Sequence, residues 1–175
     1  AGMTVAVEAA EVGRDVWLVE KEASLGGRVA RMHRYFPKLC PPACGLEIQY
    51  QRIRRNHDRI KVLTLAEVES VSGAAGDFDA LIRLAPRFVN DKCTTCGECV
   101  KVCPVERLNE FNYGMDTTRA IYRPHEMAFP ARHVIDGAVC KGAECARCVE
   151  ACHYGAITLD DAPRQMRVHV GAVVW

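Results

Sequence analysis

The sequence lacks any apolar run long enough to cross a bilayer, and it carries almost no excess of charge. No stretch of about 18 apolar residues occurs, so no segment is predicted to span a membrane, and a membrane link would have to come through partner subunits. The net charge is +1, which gives no basic footprint for nucleic acid. The basic stretch from Arg52 to Lys61 is typical of a solvated helix face and loop, and the alternative is a docking patch for an acidic partner.

The first residues do not predict a secretory leader. The first residues do not show a charged region, an apolar core and a small-residue cleavage site in succession. We therefore expect a cytoplasmic location, where thiols stay reduced. This expectation matters because cysteine is abundant here, with ten residues among 175.

Eight of the ten cysteines form two runs with the spacing of iron–sulfur ligand loops. The runs are Cys93-x2-Cys96-x2-Cys99-x3-Cys103-Pro104 and Cys140-x4-Cys145-x2-Cys148-x3-Cys152. In two-cluster ferredoxins, three closely spaced thiolates bind one cluster and the fourth cysteine of the run binds the other cluster. This rule predicts two [4Fe-4S] clusters, one held by Cys93, Cys96, Cys99 and Cys152, and the other held by Cys140, Cys145, Cys148 and Cys103.

Structural zinc and disulfides are the other common uses of clustered cysteines. Zinc usually takes two CxxC pairs rather than triplets, and disulfides need an oxidising compartment. The second run departs from the common cluster pattern, with four residues between Cys140 and Cys145 and with His153 where a proline often stands. The first departure widens a loop and the second leaves the ligands intact, so iron–sulfur clusters remain the prediction.

Strand-like segments lie on both sides of the cysteine runs, which predicts a cluster domain inserted into an α/β domain. A hydrophobic content of 49% allows one sizeable core, or a smaller core beside a metal-stabilised unit. We place the α/β domain at residues 1–87, the insert at 88–160 and a return strand at 161–175. Prolines and glycines break the periodicity of residues 105–139, where we expect an extended segment with little regular structure.

The start of the chain is typical of the second half of a βαβ unit whose first strand would precede Ala1, so we expect this sequence to be a fragment with an incomplete α/β domain. An alanine- and valine-rich helix over residues 3–12 stops at Gly13, and the apolar strand 16–19 ends at Glu20. With Gly2 opening the helix, these are the proportions of a dinucleotide-binding unit, whose helix faces a pyrophosphate and whose acid binds ribose hydroxyls. The partial fingerprint is equally compatible with a chance terminal glycine and an exposed strand-end acid.

The remaining elements of the α/β domain follow from apolar spacing. Leu46, Tyr50 and Ile53 recur at i, i+4 and i+7, which predicts one face of a second helix. Residues 60–84 alternate around a glycine-rich turn, which predicts an antiparallel hairpin. The apolar run 168–175 predicts a final strand.

Several segments, in their order along the chain, resemble the A-subunit family of heterodisulfide reductase. They are Leu18-Val19-Glu20-Lys21-Glu22, Leu25-Gly26-Gly27-Arg28, Glu67-Val68-Glu69 and the cysteine insert. The resemblance covers essentially all 175 residues and implies a thioredoxin-reductase-like, Rossmann-like FAD-binding domain interrupted by a two-cluster ferredoxin-like insert. It also implies which residues line the FAD ribose and phosphates, with Val68 at the adenine: Gly2, Glu20, Lys21, Gly27 and Arg28.

Residues 39–48 and 112–115 are most similar to one branch of this family, the A subunit of the quinone-interacting membrane-bound oxidoreductase of sulfate reducers. The resemblance implies an electron-transfer subunit of an anaerobic oxidoreductase complex. Its partners would be a soluble protein such as adenylylsulfate reductase and a quinone-linked membrane subunit. The alternatives are a role in flavin-based electron bifurcation, as in methanogen members of the family, and a ferredoxin-like carrier without flavin.

Two cysteines and three histidines near the predicted sites are each compatible with more than one role. Cys40 and Cys44 form a C-x3-C pair that could ligate a further cluster or act as a redox-active dithiol, although free cysteines often serve as small apolar residues. His125, His133 and His153 flank the cysteine runs, where a ring N–H can tune a reduction potential by hydrogen bonding to sulfur. Packing and surface roles are the commoner ones for such histidines.

Overall fold

The computed structural model describes residues 1–34, 36–37 and 39–175, and its elements confirm the predicted α/β class. The helices are α1 Gly2–Glu11, α2 Gly27–Ala30, α3 Ala43–Arg55, α4 Glu98–Val102 and α5 Arg147–Glu150. The strands are β1 Val16–Glu20, β2 Ile60–Thr64, β3 Ala66–Ala74, β4 Asp77–Leu84, β5 Glu106–Leu108, β6 Thr117–Arg119, β7 Ile121–Tyr122, β8 Val134–Ile135 and β9 Arg164–Val170. No helix in these described ranges has the length and apolar character needed to cross a membrane.

The elements group into two units along the chain. One unit comprises Ala1–Ala85 together with Pro163–Trp175, and we call it the α/β unit. The other comprises Pro86–Ala162, and we call it the cysteine unit because it contains both cysteine runs.

The α/β unit starts with a helix that packs on a pair of parallel strands. Helix α1 buries Ala6, Val7 and Ala10 and is followed by Gly13, whose positive φ of 88° stops the helix. Strands β1 and β2 pair in parallel, and α3 lies between them in the sequence as the crossover helix. The helix and strand predicted for residues 3–20 are therefore confirmed.

Helix α3 follows the apolar spacing of its sequence. Leu46, Tyr50 and Ile53 are all buried, which confirms the predicted face. Arg52 donates to Glu8 at 2.8 Å and to Glu11 at 2.6 Å, and so joins α3 to α1. These ion pairs lie at the surface, so burial of the apolar face contributes more to the packing than the charges do.

The second sheet of the α/β unit is antiparallel, with the strand order β3-β4-β9. Ala80, Ile82 and Leu84 alternate into its buried face, as the hairpin pattern predicts. The sheet requires glycine at Gly73, because at a φ of 103° a Cβ there would overlap the carbonyl oxygen of Asp77.

The final strand differs from the one predicted over residues 168–175. Strand β9 is Arg164–Val170, and the chain beyond Gly171 is irregular. Strand pairing explains the difference, because the ladder with β4 ends at the pair of Phe78 and Val170, next to the start of β4. The polar start of β9 gave no apolar signal, whereas the apolar tail lies beyond the ladder.

The cysteine unit is built from short elements around a core that contains sulfur. Its strands are two or three residues long and pair as β5-β6 and β7-β8, which agrees with the irregular segment predicted for residues 105–139. The buried residues of its described core are Val89, Cys99, Ile121, Ile135, Cys148, Ala156 and Ile157. Packed against them are the partly buried Cys93, Cys103, Cys140 and Cys152. The interior of this unit is therefore shared between aliphatic side chains and thiols.

Candidate metal-cluster and cofactor sites

Two cavities in the cysteine unit are each lined by four cysteines. The first cavity has a volume of about 310 Å³, including space open to solvent, and contains the first cysteine set, Cys93, Cys96, Cys99 and Cys152. The second cavity, of about 330 Å³, contains the second cysteine set, Cys103, Cys140, Cys145 and Cys148. Each set takes three cysteines from one run and the last cysteine of the other run, which is the grouping that the spacing rule predicts.

Matching turns bring one cysteine of each run into the core. A residue with positive φ follows the middle cysteine of each closely spaced triplet, Gly97 at 83° and Ala146 at 44°. Each turn begins a short helix, α4 or α5, that buries the next cysteine, Cys99 or Cys148. A left-handed conformation costs an L-residue about 1–2 kcal/mol. The turn in the second run therefore forms although the backbone of Ala146 is strained.

A 3-10 turn absorbs the longer spacing in the second run. Residues Gly142–Glu144 form this turn between Cys140 and Cys145. The N–H of Gly142 donates to the Sγ of Cys140 at 3.4 Å, and the N–H of Cys140 donates to the carbonyl oxygen of Asp136 at 3.0 Å. The widened loop that the sequence predicts is present, and it leaves Cys140 at the cavity.

The thiols of each set repel one another when ionised. Burial, followed by the charges of Cys93 and Cys96, raises the pKa of Cys99 to about 12. Burial, followed by the charges of other cysteines in its set, also raises the pKa of Cys148. Four thiolates therefore need positive charge between them, which the irons of a cluster supply. The donor chemistry of both sets fits a [4Fe-4S] cluster, and no three His, Cys, Asp or Glu side chains in the described ranges converge on a single-ion site.

One of the three histidines that flank the cysteine runs lies against a cysteine sulfur. His133 is buried, and its Nδ1 is 3.5 Å from the Sγ of Cys93. His125 instead stacks on Phe111, with ring centroids 4.7 Å apart, and His153 is exposed. The structure thus singles out His133, which directly precedes β8 and is positioned by the pairing of β8 with β7.

Three of the residues implied for FAD lie at the carboxyl end of β1. Glu20 is the last residue of β1, and Lys21 follows it at the surface. Helix α1 runs back along β1, so its first residue, Gly2, lies near the same end, and a Cβ built on Gly2 would be 3.9 Å from Leu18 Cδ1. Dinucleotides bind at this end of the strands in open α/β sheets.

The other three residues implied for FAD lie on the segments that follow. Gly27 and Arg28 open helix α2 and are exposed, and no atom lies within 4 Å of a Cβ built on Gly27. Val68 is half-buried in β3, the strand that follows β2. Leu65, between those two strands, donates its N–H to the carbonyl oxygen of Glu22 at 3.0 Å and ties the strand ends together.

Tyr50 has a role that the sequence analysis missed, because its spacing indicated only an apolar helix face. Its hydroxyl donates to the carbonyl oxygen of Leu25 at 2.9 Å. A Cβ on Gly26 would lie 2.9 Å from the same hydroxyl, so the glycine segment approaches α3 closely. Tyr50 therefore holds the segment that leads into Arg28. The signal that could have found it is the need of a buried tyrosine hydroxyl for a partner.

Replacing Tyr50 by phenylalanine is expected to loosen this segment. The change removes the donor to the Leu25 carbonyl, which costs about 1–3 kcal/mol. We expect FAD to bind the full-length protein about tenfold more weakly, by flavin fluorescence titration, since 1.4 kcal/mol equals tenfold. Tyr113→Phe is the control, because Tyr113 is 69% exposed in the cysteine unit. Unchanged flavin affinity in Tyr50→Phe would show that the hydroxyl has no such role.

Cys40 and Cys44 belong to the α/β unit. Both are free thiols, Cys40 half-buried and Cys44 exposed in the first turn of α3. Neither is among the residues that line the two four-cysteine cavities. A redox or ligand role for this pair stays a prediction.

Comparison with protein families bears on the cysteine unit directly. The family of 4Fe-4S binding domains matches residues 85–108, which include the whole first cysteine run. The fold and this match together define the class of the protein, which is an α/β protein with a ferredoxin-like 4Fe-4S domain.

Known proteins resemble nearly the whole chain. It is 38% identical over 99% of its length to the iron-sulfur A subunit of the CoB–CoM heterodisulfide reductase of Methanocaldococcus jannaschii, and covers 26% of that protein. It is 39% identical over 99% of its length to an iron-sulfur A subunit of the same enzyme from Methanopyrus kandleri, again covering 26%. The A subunit of the ferredoxin/F420H2-dependent CoB–CoM heterodisulfide reductase of Methanosarcina acetivorans is 38% identical, with 22% covered.

The chain is therefore a relative of the A subunits of heterodisulfide reductase, and the resemblance predicted from the sequence is confirmed. It spans about a quarter of the length of the curated relatives it matches.

Proposed function

We propose that this chain is the flavin- and cluster-binding part of an electron-transfer subunit in an anaerobic oxidoreductase complex. The observation that carries the proposal is the pair of cavities, each lined by four cysteines drawn from both runs. The two sets lie close to each other, since the charge of Cys148, from the second set, also raises the pKa of Cys99. Two redox centres at short distance are what one-electron transfer needs.

In this proposal each cysteine set holds one [4Fe-4S] cluster. When bound, the clusters carry one electron at a time and FAD exchanges two, so that together they connect a two-electron partner with a one-electron partner. The chain contributes the thiolate ligands and an apolar lining. Val89 and Ile157 line the first cavity, Ile121 and Ile135 line the second, and these aliphatic side chains limit the access of water to sulfur.

For FAD we propose the residues that the family resemblance implies. Gly2 would present the N-terminus of α1 to the pyrophosphate, where the peptide dipoles favour negative charge. Glu20 would accept hydrogen bonds from ribose hydroxyls, and the cations Lys21 and Arg28 would balance phosphate or reduced-flavin charge. The open space beside Gly27 and the half-buried Val68 complete the set.

The partners and the direction of electron flow belong to the longer protein. The relatives are named as subunits of heterodisulfide reductases, one of them as the A subunit of an H(2):CoB-CoM heterodisulfide,ferredoxin reductase. We propose a comparable hetero-oligomeric redox complex in the cytoplasm. Residues 39–48 and 112–115 favour adenylylsulfate reductase and a quinone-linked membrane subunit as partners, whereas the methanogen relatives favour electron bifurcation. Co-purification of the full-length protein without oxygen distinguishes these two kinds of complex by the partner proteins that remain bound.

Full-length protein purified without oxygen is expected to contain about eight iron atoms and one FAD per chain, because each [4Fe-4S] cluster holds four irons. Elemental analysis gives iron and zinc together, and acid release followed by absorbance gives flavin. About four irons would mean that one cysteine set is not a cluster site. Eight irons without flavin would indicate the ferredoxin-like carrier, and zinc in place of iron would reject the redox proposal.

A further inference from the structure

The two cysteine sets differ in the charge and hydrogen bonding of their surroundings. Backbone N–H groups donate to sulfur in both sets, at 3.4 Å from Ala156 to Cys152 in the first set and at 3.4 Å from Gly142 to Cys140 in the second. Backbone hydrogen bonds of Cys148 and Val149 also act on the Cys148 thiol of the second set, where they oppose the rise of its pKa. The side chains distinguish the sets, because the first set also faces a buried ring nitrogen with half-buried cations beside it.

The ring nitrogen belongs to His133. The residue is only 3% exposed, and its Nδ1 lies 3.5 Å from the Sγ of Cys93, within hydrogen-bonding distance for sulfur. The positive charges of Arg123 and Arg87 act on the same ring. A cluster-bound sulfur can only accept, so this contact is a hydrogen bond when Nδ1 carries the ring proton.

Arginines surround the same side of the first set. The Nε of Arg87 donates to the carbonyl oxygen of His133 at 3.2 Å, and its Nη2 donates to that of Arg132 at 3.3 Å. Burial and the charge of Arg132 lower the pKa of Arg87 to about 10, so Arg87 remains a cation at neutral pH. The Nε atoms of Arg123 and Arg132 are buried and make no hydrogen bond to other described residues.

The cations near the second set are either exposed or already paired. Lys141 and Arg147 line the second cavity but lie at the surface, where water screens their charge. Arg107 is buried close to this part of the unit, but it pairs with Asp136 at 2.8 Å and with Glu110 at 2.9 Å. The net positive charge that acts through a low-dielectric interior is therefore concentrated at the first set.

We infer that the cluster at the first cysteine set has the higher reduction potential of the two, and that His133 sets much of this difference through its hydrogen bond to Cys93. Each electron added makes a cluster more negative, so a donor and cations next to its sulfur stabilise the reduced form. An electron in the cysteine unit then resides mainly at the first set, and the second set is the relay. This inference rests on the proposal that both sets bind [4Fe-4S] clusters.

Redox titration of the full-length protein, followed by EPR, tests the inference. Cys148→Ala and Cys99→Ala each leave one cluster, and we expect the cluster that remains in Cys148→Ala to be reduced at the higher potential. In His133→Phe, the ratio of reduced to oxidised first cluster at a fixed potential should fall about tenfold. That change corresponds to a shift of about 59 mV for a one-electron couple.

Matched variants separate hydrogen bonding from packing. His133→Asn keeps an N–H near the position of Nδ1 and should restore most of the lost potential, whereas His125→Phe changes a histidine that stacks on Phe111 and should have no effect. Equal or reversed potentials in the two single-cluster variants would overturn the inference, and so would an unshifted His133→Phe. Wild-type protein without two cluster signals would instead overturn the proposed function, so the two failures are distinguishable.

Discussion

Replacing Cys99 and Cys152 by alanine in the same chain is expected to lower the iron content from about eight atoms to about four, no further than either single replacement does. The two cysteines come from different runs, yet they line the same cavity. The first replacement already removes the cluster at this cavity. The second replacement therefore removes a ligand from a site that no longer binds iron. Iron is measured per chain in anoxically purified full-length protein.

The control is the pair Cys99 and Cys103, which belong to one run but line different cavities. Replacing both by alanine should remove nearly all iron. If each run held its own cluster, the outcomes would be exchanged, with about four irons left in this control and almost none in the first variant. FAD should stay bound in every variant, because its proposed ligands lie in the α/β unit; loss of flavin along with iron would show that the units depend on each other.

The cysteine grouping was accessible from the sequence because cluster loops impose short, fixed spacings. Three thiolates two residues apart leave little freedom for the backbone, so the spacing rule and the cavity linings agree on which sulfurs share a site. The binding of a cluster by each cysteine set stays a prediction. The left-handed turn at Ala146 was not accessible, since alanine carries no signal for a positive φ and only comparison with Gly97 shows the equivalence.

Two residues act through contacts that are distant in the sequence. His133 was one of three histidines predicted to lie near the cysteine runs, and it could not be singled out because it approaches Cys93 from an irregular segment, where no periodicity fixes the direction of a side chain. Tyr50 was placed correctly on its helix face, but its hydroxyl bonds to Leu25 on a loop whose path the sequence does not specify. Strand β9 began earlier than predicted because backbone pairing with β4 outweighs the polar character of its first residues.

Removing iron from the full-length protein is expected to unfold the cysteine unit and leave the α/β unit folded. Helices α4 and α5 have five and four residues, too short to be stable alone. The core they pack on includes the buried Cys99 and Cys148, and a cluster would cross-link those thiols to cysteines of the other run. Without the metal, little apolar surface remains to offset the chain entropy of such short elements.

Hydrogen–deuterium exchange read by mass spectrometry measures this unfolding for each segment. After anoxic chelation, amides in α4, α5 and the β7-β8 pair should exchange about a hundredfold faster, equivalent to about 3 kcal/mol of lost local stability. Amides in β3 and β4 act as the internal control, because these strands pair with each other in the α/β unit and contain no cysteine. Restoring iron and sulfide should restore protection. If α4 and α5 stay protected without iron, the aliphatic core alone stabilises the cysteine unit. The clusters would then bind to a fold that forms without them.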